Sequence, residues 1–108
     1  MGTPPDQDER QEGELALAAK PKVKRPRRFS VLFHNDDYTT MEFVVSVLMK
    51  FFHKTETEAT QIMLTVHHKG YAVAGTFTRD IAETKAAHVS SYAKQHGHPL
   101  KCTAEPAE

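Results

Sequence analysis

His34-Asn35-Asp36-Asp37-Tyr38-Thr39-Thr40-Met41-Glu42-Phe43 is the stretch where an apolar run, Phe29 to Phe33, passes through polar and acidic residues into a helical pattern. Thr39 followed three residues later by Glu42 predicts a capping box, in which the hydroxyl and the carboxylate each take an orphan amide of the first turn. Tyr38 before that cap and Phe43 after it are spaced for a hydrophobic staple. The reading places Asn35, Asp36 and Asp37 on a short, stiff turn between a strand end and a helix start, with the cap independent of the Asp36 carboxylate. Acceptor groups held on a rigid turn are suited to meet donors.

Working outward, Phe29, Val31 and Phe33 alternate with Ser30, Leu32 and His34, a strand apolar enough to lie centrally in a sheet. Met41, Val44, Val45, Leu48 and Phe52 follow helical spacing to about His53. Thr55 and Glu58 form a second capping box after a very short link, so the two helices are expected as a hairpin. The second helix carries Ala59, Ile62, Met63 and Val66 on one face and stops at Gly70. Tyr71 to Phe77 alternate as a second strand, and Thr78 is expected to cap a third helix with Asp80 in its first turn. Ala82, Ala86, Val89 and Ala93 mark its buried stripe of small residues, and Gly97 with Pro99 ends it. Leu100, Cys102 and Ala104 then alternate as a last strand. The order βααβαβ, with three strands and three helices, predicts a small two-layer α+β domain with a mainly antiparallel sheet.

The rest of the chain sets limits. Its 108 residues suffice for one small domain, and Lys plus Arg balance Asp plus Glu at 14 each, so no global nucleic-acid signature exists. A single cysteine, Cys102, suits a reducing compartment, no apolar run approaches a membrane span, and the N-terminus does not read as a signal peptide. The expectation is a cytoplasmic protein with no membrane partner. Residues 1–27 hold four of the six prolines, an acidic part from Asp6 to Glu14 and a basic part from Lys20 to Arg27. They are expected to form a disordered extension, with a folded core over 28–105 and a C-terminal tail over 106–108. The basic run carries no interleaved aromatics, so a solvated linker is preferred to a nucleic-acid patch.

Asn35-Asp36-Asp37-Tyr38-Thr39-Thr40-Met41-Glu42-Phe43-Val44, Ala59 to Leu64 with Val66-His67, Ala82-Glu83-Thr84-Lys85, and His98-Pro99-Leu100 with Cys102-Thr103 resemble the ClpS adaptors. The resemblance covers about Arg28 to Glu105, with the motifs in family order and spacing. It implies an adaptor without enzymatic activity or cofactor. Such an adaptor binds proteins whose first residue is Leu, Phe, Tyr or Trp, and hands them to the N-terminal domain of the AAA+ unfoldase ClpA for degradation by ClpP. It further implies that Asn35, Asp36 and His67 receive the α-ammonium, and that Thr39, Met41, Val44, Met63, Val66 and Leu100 surround the side chain. Asp80, where the family most often has Glu, and Lys85 are implied as unfoldase contacts, and the N-terminal extension as the segment the motor engages. Ala74 stands where a cysteine is frequent.

Chemistry agrees with that carry-over without requiring it. A free ammonium offers up to three donors and one charge, so it needs several converging acceptors, and a neutral His67 nitrogen can be one. Met41 with Val44, and Met63 with Val66, each share a helix face. Taken residue by residue, however, His67 also fits an ordinary half-buried histidine, and the six pocket residues fit plain core. A metal or catalytic site drawn from the seven histidines with Asp36 and Asp37, or from His98 and Cys102, lacks zinc-ligand spacing and any oxyanion motif. A ribosomal role rests only on a stalk protein of similar element order, and fold does not fix function.

Overall fold

The computed structural model describes residues 26–107. The elements run β1 (Arg28–His34), α1 (Met41–Phe52), α2 (Glu56–Lys69), β2 (Tyr71–Thr78), α3 (Arg79–Gln95) and β3 (Lys101–Pro106). The sheet order is β2-β1-β3, and both pairings are antiparallel. The first strand of the chain is therefore the central one, as its density of large apolar residues requires: Val31 and Phe33 are fully buried. The helices cover one face of the sheet, an α+β two-layer arrangement. The expected extension over 1–27 lies outside the described residues except for Pro26 and Arg27. At the other end, β3 runs to Pro106 and the Ala107 amide donates to the Arg28 carbonyl at 2.8 Å, so the paired segment outruns the expected limit at 105.

The helix ends follow the sequence in part. Thr55 and Glu58 form the capping box of α2, with the Thr55 amide donating to Glu58 Oε1 at 2.9 Å and the Glu58 amide to Thr55 Oγ1 at 3.1 Å. Gly70, at φ 96, closes α2 in the left-handed region. Thr78 occupies the N-cap of α3 with extended dihedrals, but its side chain makes no capping hydrogen bond, contrary to expectation. The stripe Ala82, Ala86, Val89 and Ala93 is buried as its spacing predicts. Lys85 donates to the Phe51 carbonyl at 2.8 Å, with its ammonium over the Phe52 and Phe77 rings. It thus satisfies one of the orphan carbonyls at the end of α1 from α3.

Strand β2 departs from simple alternation. Val31 faces Gly75 while Leu32 faces Val73, leaving Ala74 as an extra residue, a β-bulge. Before the bulge the small Ala72 and Ala74 are buried and the larger Tyr71 and Val73 face solvent. After it the inward parity changes, and Phe77 packs toward Phe52 with ring centroids 6.2 Å apart. A Cβ on Gly75 would meet the Phe77 ring at 2.8 Å, so glycine makes room for that ring.

The capping box expected at Thr39 and Glu42 is not formed. Thr40 is the N-cap of α1, its Oγ1 accepting from the Phe43 amide at 3.1 Å. Thr39 is instead taken by Asp36: Oδ1 accepts from the Tyr38 amide at 2.8 Å and the Thr39 amide at 2.7 Å, and Oδ2 from the Thr39 hydroxyl at 2.7 Å. An ionised carboxylate two to three residues upstream is the stronger acceptor, so the cap moves one residue on. The staple is absent for the same reason: Tyr38 no longer precedes the cap directly and is 78% exposed. The turn therefore does depend on the Asp36 carboxylate. Asp36→Ala is expected to cost about 1–3 kcal/mol of stability at neutral pH, read from urea denaturation. Because hydrogen bonding lowers the native pKa of Asp36 from 3.8, its contribution is complete above that value and lost as the pH falls through the native one. Equal stability of the variant and parent at pH 7 would refute this account of the turn.

Candidate functional site

The β1–α1 turn and the α1–α2 hairpin enclose a cavity of about 270 Å³. Asn35, Asp36, Asp37 and Thr39 from the turn line it, with Met41 and Val44 from α1 and Met63, Val66 and His67 from α2. Val44 and Val66 are buried, whereas Met41 is 47% exposed. Because residues three apart share a helix face, Met41 and Val44 reach the cavity together, as do Met63 and Val66. The short hairpin link brings the two pairs face to face.

The polar part is assembled across the fold. The Asn35 amide donates to the Gly70 carbonyl at 2.9 Å, tying the turn to the end of α2, one turn beyond His67. That bond is why a residue from the end of β1 and one from the last turn of α2 line the same cavity. Asn35, Asp37 and His67 are exposed; Asp36 is half-buried. Its partial burial acts to raise the Asp36 pKa. The amide and hydroxyl of Thr39, the Tyr38 amide and the nearby His98 imidazole together act more strongly and hold it below the ordinary carboxylate value. Three of the roughly four acceptor positions of a carboxylate are occupied by the turn, which leaves about one on Asp36 for a guest.

Among the residues that the resemblance implied around a pocket, Leu100 stands apart. It is 5% exposed within the core cluster and is not among the side chains lining the cavity. Asp37 lines it although sequence reasoning gave it no contact; its place beside Asp36 on the turn was the available signal. Asp80 and Lys85 lie on α3, outside the cavity. Asp80 is exposed and borders a separate depression with Arg27, Phe29 and Arg79. Lys85 is half-buried and already bonded to the Phe51 carbonyl. Five residues along a helix turn through roughly 140°, so the two do not share one face.

The remaining candidates have structural settings. Among the described residues, no group of three or more His, Cys, Asp or Glu side chains is arranged to hold a metal ion. Burial pushes the Cys102 thiol up to about 12. The His98 ring stacks on Phe43 with centroids 3.9 Å apart. None of the described helices is long and apolar enough to cross a membrane.

Comparison with known proteins agrees with this architecture. The family model for the ATP-dependent Clp protease adaptor protein ClpS matches residues 24–103. The ATP-dependent Clp protease adapter protein ClpS of Deinococcus radiodurans is 55% identical over 95 residues, covering 88% of this chain and 84% of that protein. The protein of the same name from Roseobacter denitrificans is 56% identical over 94 residues, covering 87% and 83%. Among solved structures, Agrobacterium tumefaciens ClpS2 bound to L-phenylalaninamide is similar with a TM-score of 0.75 and 43% identity, over 77% of this chain and all of that one. With residues 24–103 matched by the family model and relatives 55% and 56% identical over most of the chain, this chain belongs to the ClpS family of ATP-dependent Clp protease adaptors.

Proposed function

We propose that the cavity binds the first residue of a protein chain, with a free α-amino group and a bulky apolar side chain (Leu, Phe, Tyr or Trp). The adaptor, itself not an enzyme, then delivers that protein to the AAA+ unfoldase ClpA for degradation by ClpP. The observation that carries this reading is the meeting of an acceptor-rich end with an apolar interior in one cavity. L-Phenylalaninamide, bound by the Agrobacterium relative, supports it: the compound is a benzyl side chain beside a free amine, with an amide where a peptide would continue. The ammonium meets Asn35, Asp36 and His67, the neutral imidazole of His67 accepting through one ring nitrogen. Met41, Val44, Met63 and Val66 enclose the side chain, with Thr39 at the boundary of the two halves.

The magnitudes are compatible with discrimination by a single residue. Burying a Leu or Phe side chain contributes about 1.5–3 kcal/mol. A hydrogen bond to a charged group contributes about 1.5–3 kcal/mol. A volume near 270 Å³ falls just below the ~300–1,000 Å³ typical of sites for whole small ligands, which suits one side chain. Methionines adapt to flat aromatic and branched aliphatic guests alike, which suits a site that accepts Phe as well as Leu. Leu100, buried in the core cluster, completes the apolar surround that the family motif implies. In the delivery step Asp80 makes the exposed unfoldase contact, and Lys85 takes part from the position where it joins α3 to the end of α1. The lone, buried Cys102 suits work in the cytoplasm.

The direct test compares a Leu-first peptide with its N-acetylated form by fluorescence anisotropy. Acetylation removes the charge and two donors while leaving the side chain unchanged, and is expected to cost about 2–4 kcal/mol, roughly thirty-fold to a thousand-fold in Kd. Equal affinity for the two peptides would exclude the N-terminal reading.

Recognition and delivery are separable. Removing residues 1–27 is expected to leave peptide affinity within a few tenths of a kcal/mol, the usual range for changes away from a site. Degradation of a Leu-first reporter by ClpA and ClpP is expected to fail, because the motor loses the segment it engages, and a scrambled segment of equal length should restore it. Normal delivery by the truncated adaptor would remove the segment from the mechanism. Lost peptide binding would make it part of the site.

A further inference from the structure

Beside the candidate site, α1 and α2 leave a second depression of about 330 Å³. Its apolar lining is Met41, Val45, Met49 and Met63, and its charged lining residues are Glu42 and Glu56. Met41 and Met49 are large apolar side chains left 47% and 41% exposed. Met41 and Met63 also line the first cavity, so these two thioether side chains form the wall between the two.

We propose that this groove receives the side chain of the third residue of the bound chain and favours arginine or lysine there. The proposal rests on the reading of the first cavity as the site of the first residue. In an extended chain successive side chains point to opposite sides, and residues two apart lie on the same side about 6.6 Å from one another. With the first side chain buried in the cavity, the second faces solvent and the third returns to the protein surface one step along. The second depression adjoins the first cavity across the shared Met41 and Met63 side chains, on the side where such a step can land. Thioethers adapt to a long aliphatic stem, and Arg and Lys bury the stem while their charge stays in water. Glu42 and Glu56 then stand opposite that charge, with no basic residue in the lining to offset them.

The test measures anisotropy of Leu-Ala-X peptides, with X as Arg, Ala or Glu, and of a control with Ala third and Arg seventh. Arg at the third position is expected to bind about three- to ten-fold more tightly than Ala, as two exposed ion pairs allow, and Glu more weakly than Ala. The double variant E42Q/E56Q should erase this order and leave the Leu-Ala-Ala peptide unchanged. An equal gain from Arg at the seventh position would indicate diffuse attraction and overturn the proposal, as would an unaltered order in the double variant. Should the three peptides bind alike while acetylation still abolishes binding, the groove proposal falls and the N-terminal reading stands. Should acetylation have no effect, both fall.

Discussion

The arrangement of this molecule turns on one carboxylate. Asp36 gathers the Tyr38 amide, the Thr39 amide and the Thr39 hydroxyl, and in doing so it shapes the turn that leaves the central strand. That turn sets where α1 begins, since Thr39 is held by Asp36 and the cap passes to Thr40. It also sets where Asn35 and Asp37 lie, because both are backbone neighbours of the same knot. The hydrogen bonds that build the turn also outweigh its partial burial and favour the ionised form of the acid over the protonated one. Structure and charge therefore have a common cause, and an anion stays fixed at the rim of an apolar cavity with acceptor capacity to spare.

The apolar half has a different origin. It depends on two helices joined so tightly that Met41 and Val44 must face Met63 and Val66. The left-handed His53 at the end of α1 and the Thr55–Glu58 box at the start of α2 fix that link. Lys85 holds the end of α1 from the other side, through the Phe51 carbonyl and over the Phe52 and Phe77 rings. The Asn35 bond to Gly70 joins the two halves. A cavity made in this way places hydrogen-bond acceptors and dispersion contacts within one residue's reach, which is the requirement for reading a chain terminus.

Much of this was legible in the sequence because the governing forces are local. Helical spacing of the alanines in α3, the capping box of α2 and the alternation in β1 are short-range patterns, and each appears where the residues put it. What was not legible came from competition between neighbours or from distant packing. Thr39 and Thr40 both fit a helix cap, and only the reach of the Asp36 side chain decides between them. The bulge at Ala74 answers to Phe77 and Phe52, a contact that alternation alone cannot anticipate. Lys85 enters the sequence reading only as an unfoldase contact implied by motif, and its hydrogen-bond partner lies 34 residues earlier. Leu100, grouped with the pocket by motif, lies just before β3 and is buried in the core cluster.

The most direct measurement is the titration of the Asp36 side chain, followed by the NMR shift of its carboxyl carbon. It is made on the free protein, with a saturating Leu-first peptide, and with the acetylated form of that peptide. The account predicts a pKa below the usual 3.8 in the free protein and a further fall with the free-amine peptide, with no such fall for the acetylated one. An Asp36 that titrates as an ordinary carboxylate in the free protein, or that ignores the peptide's amine, would contradict it.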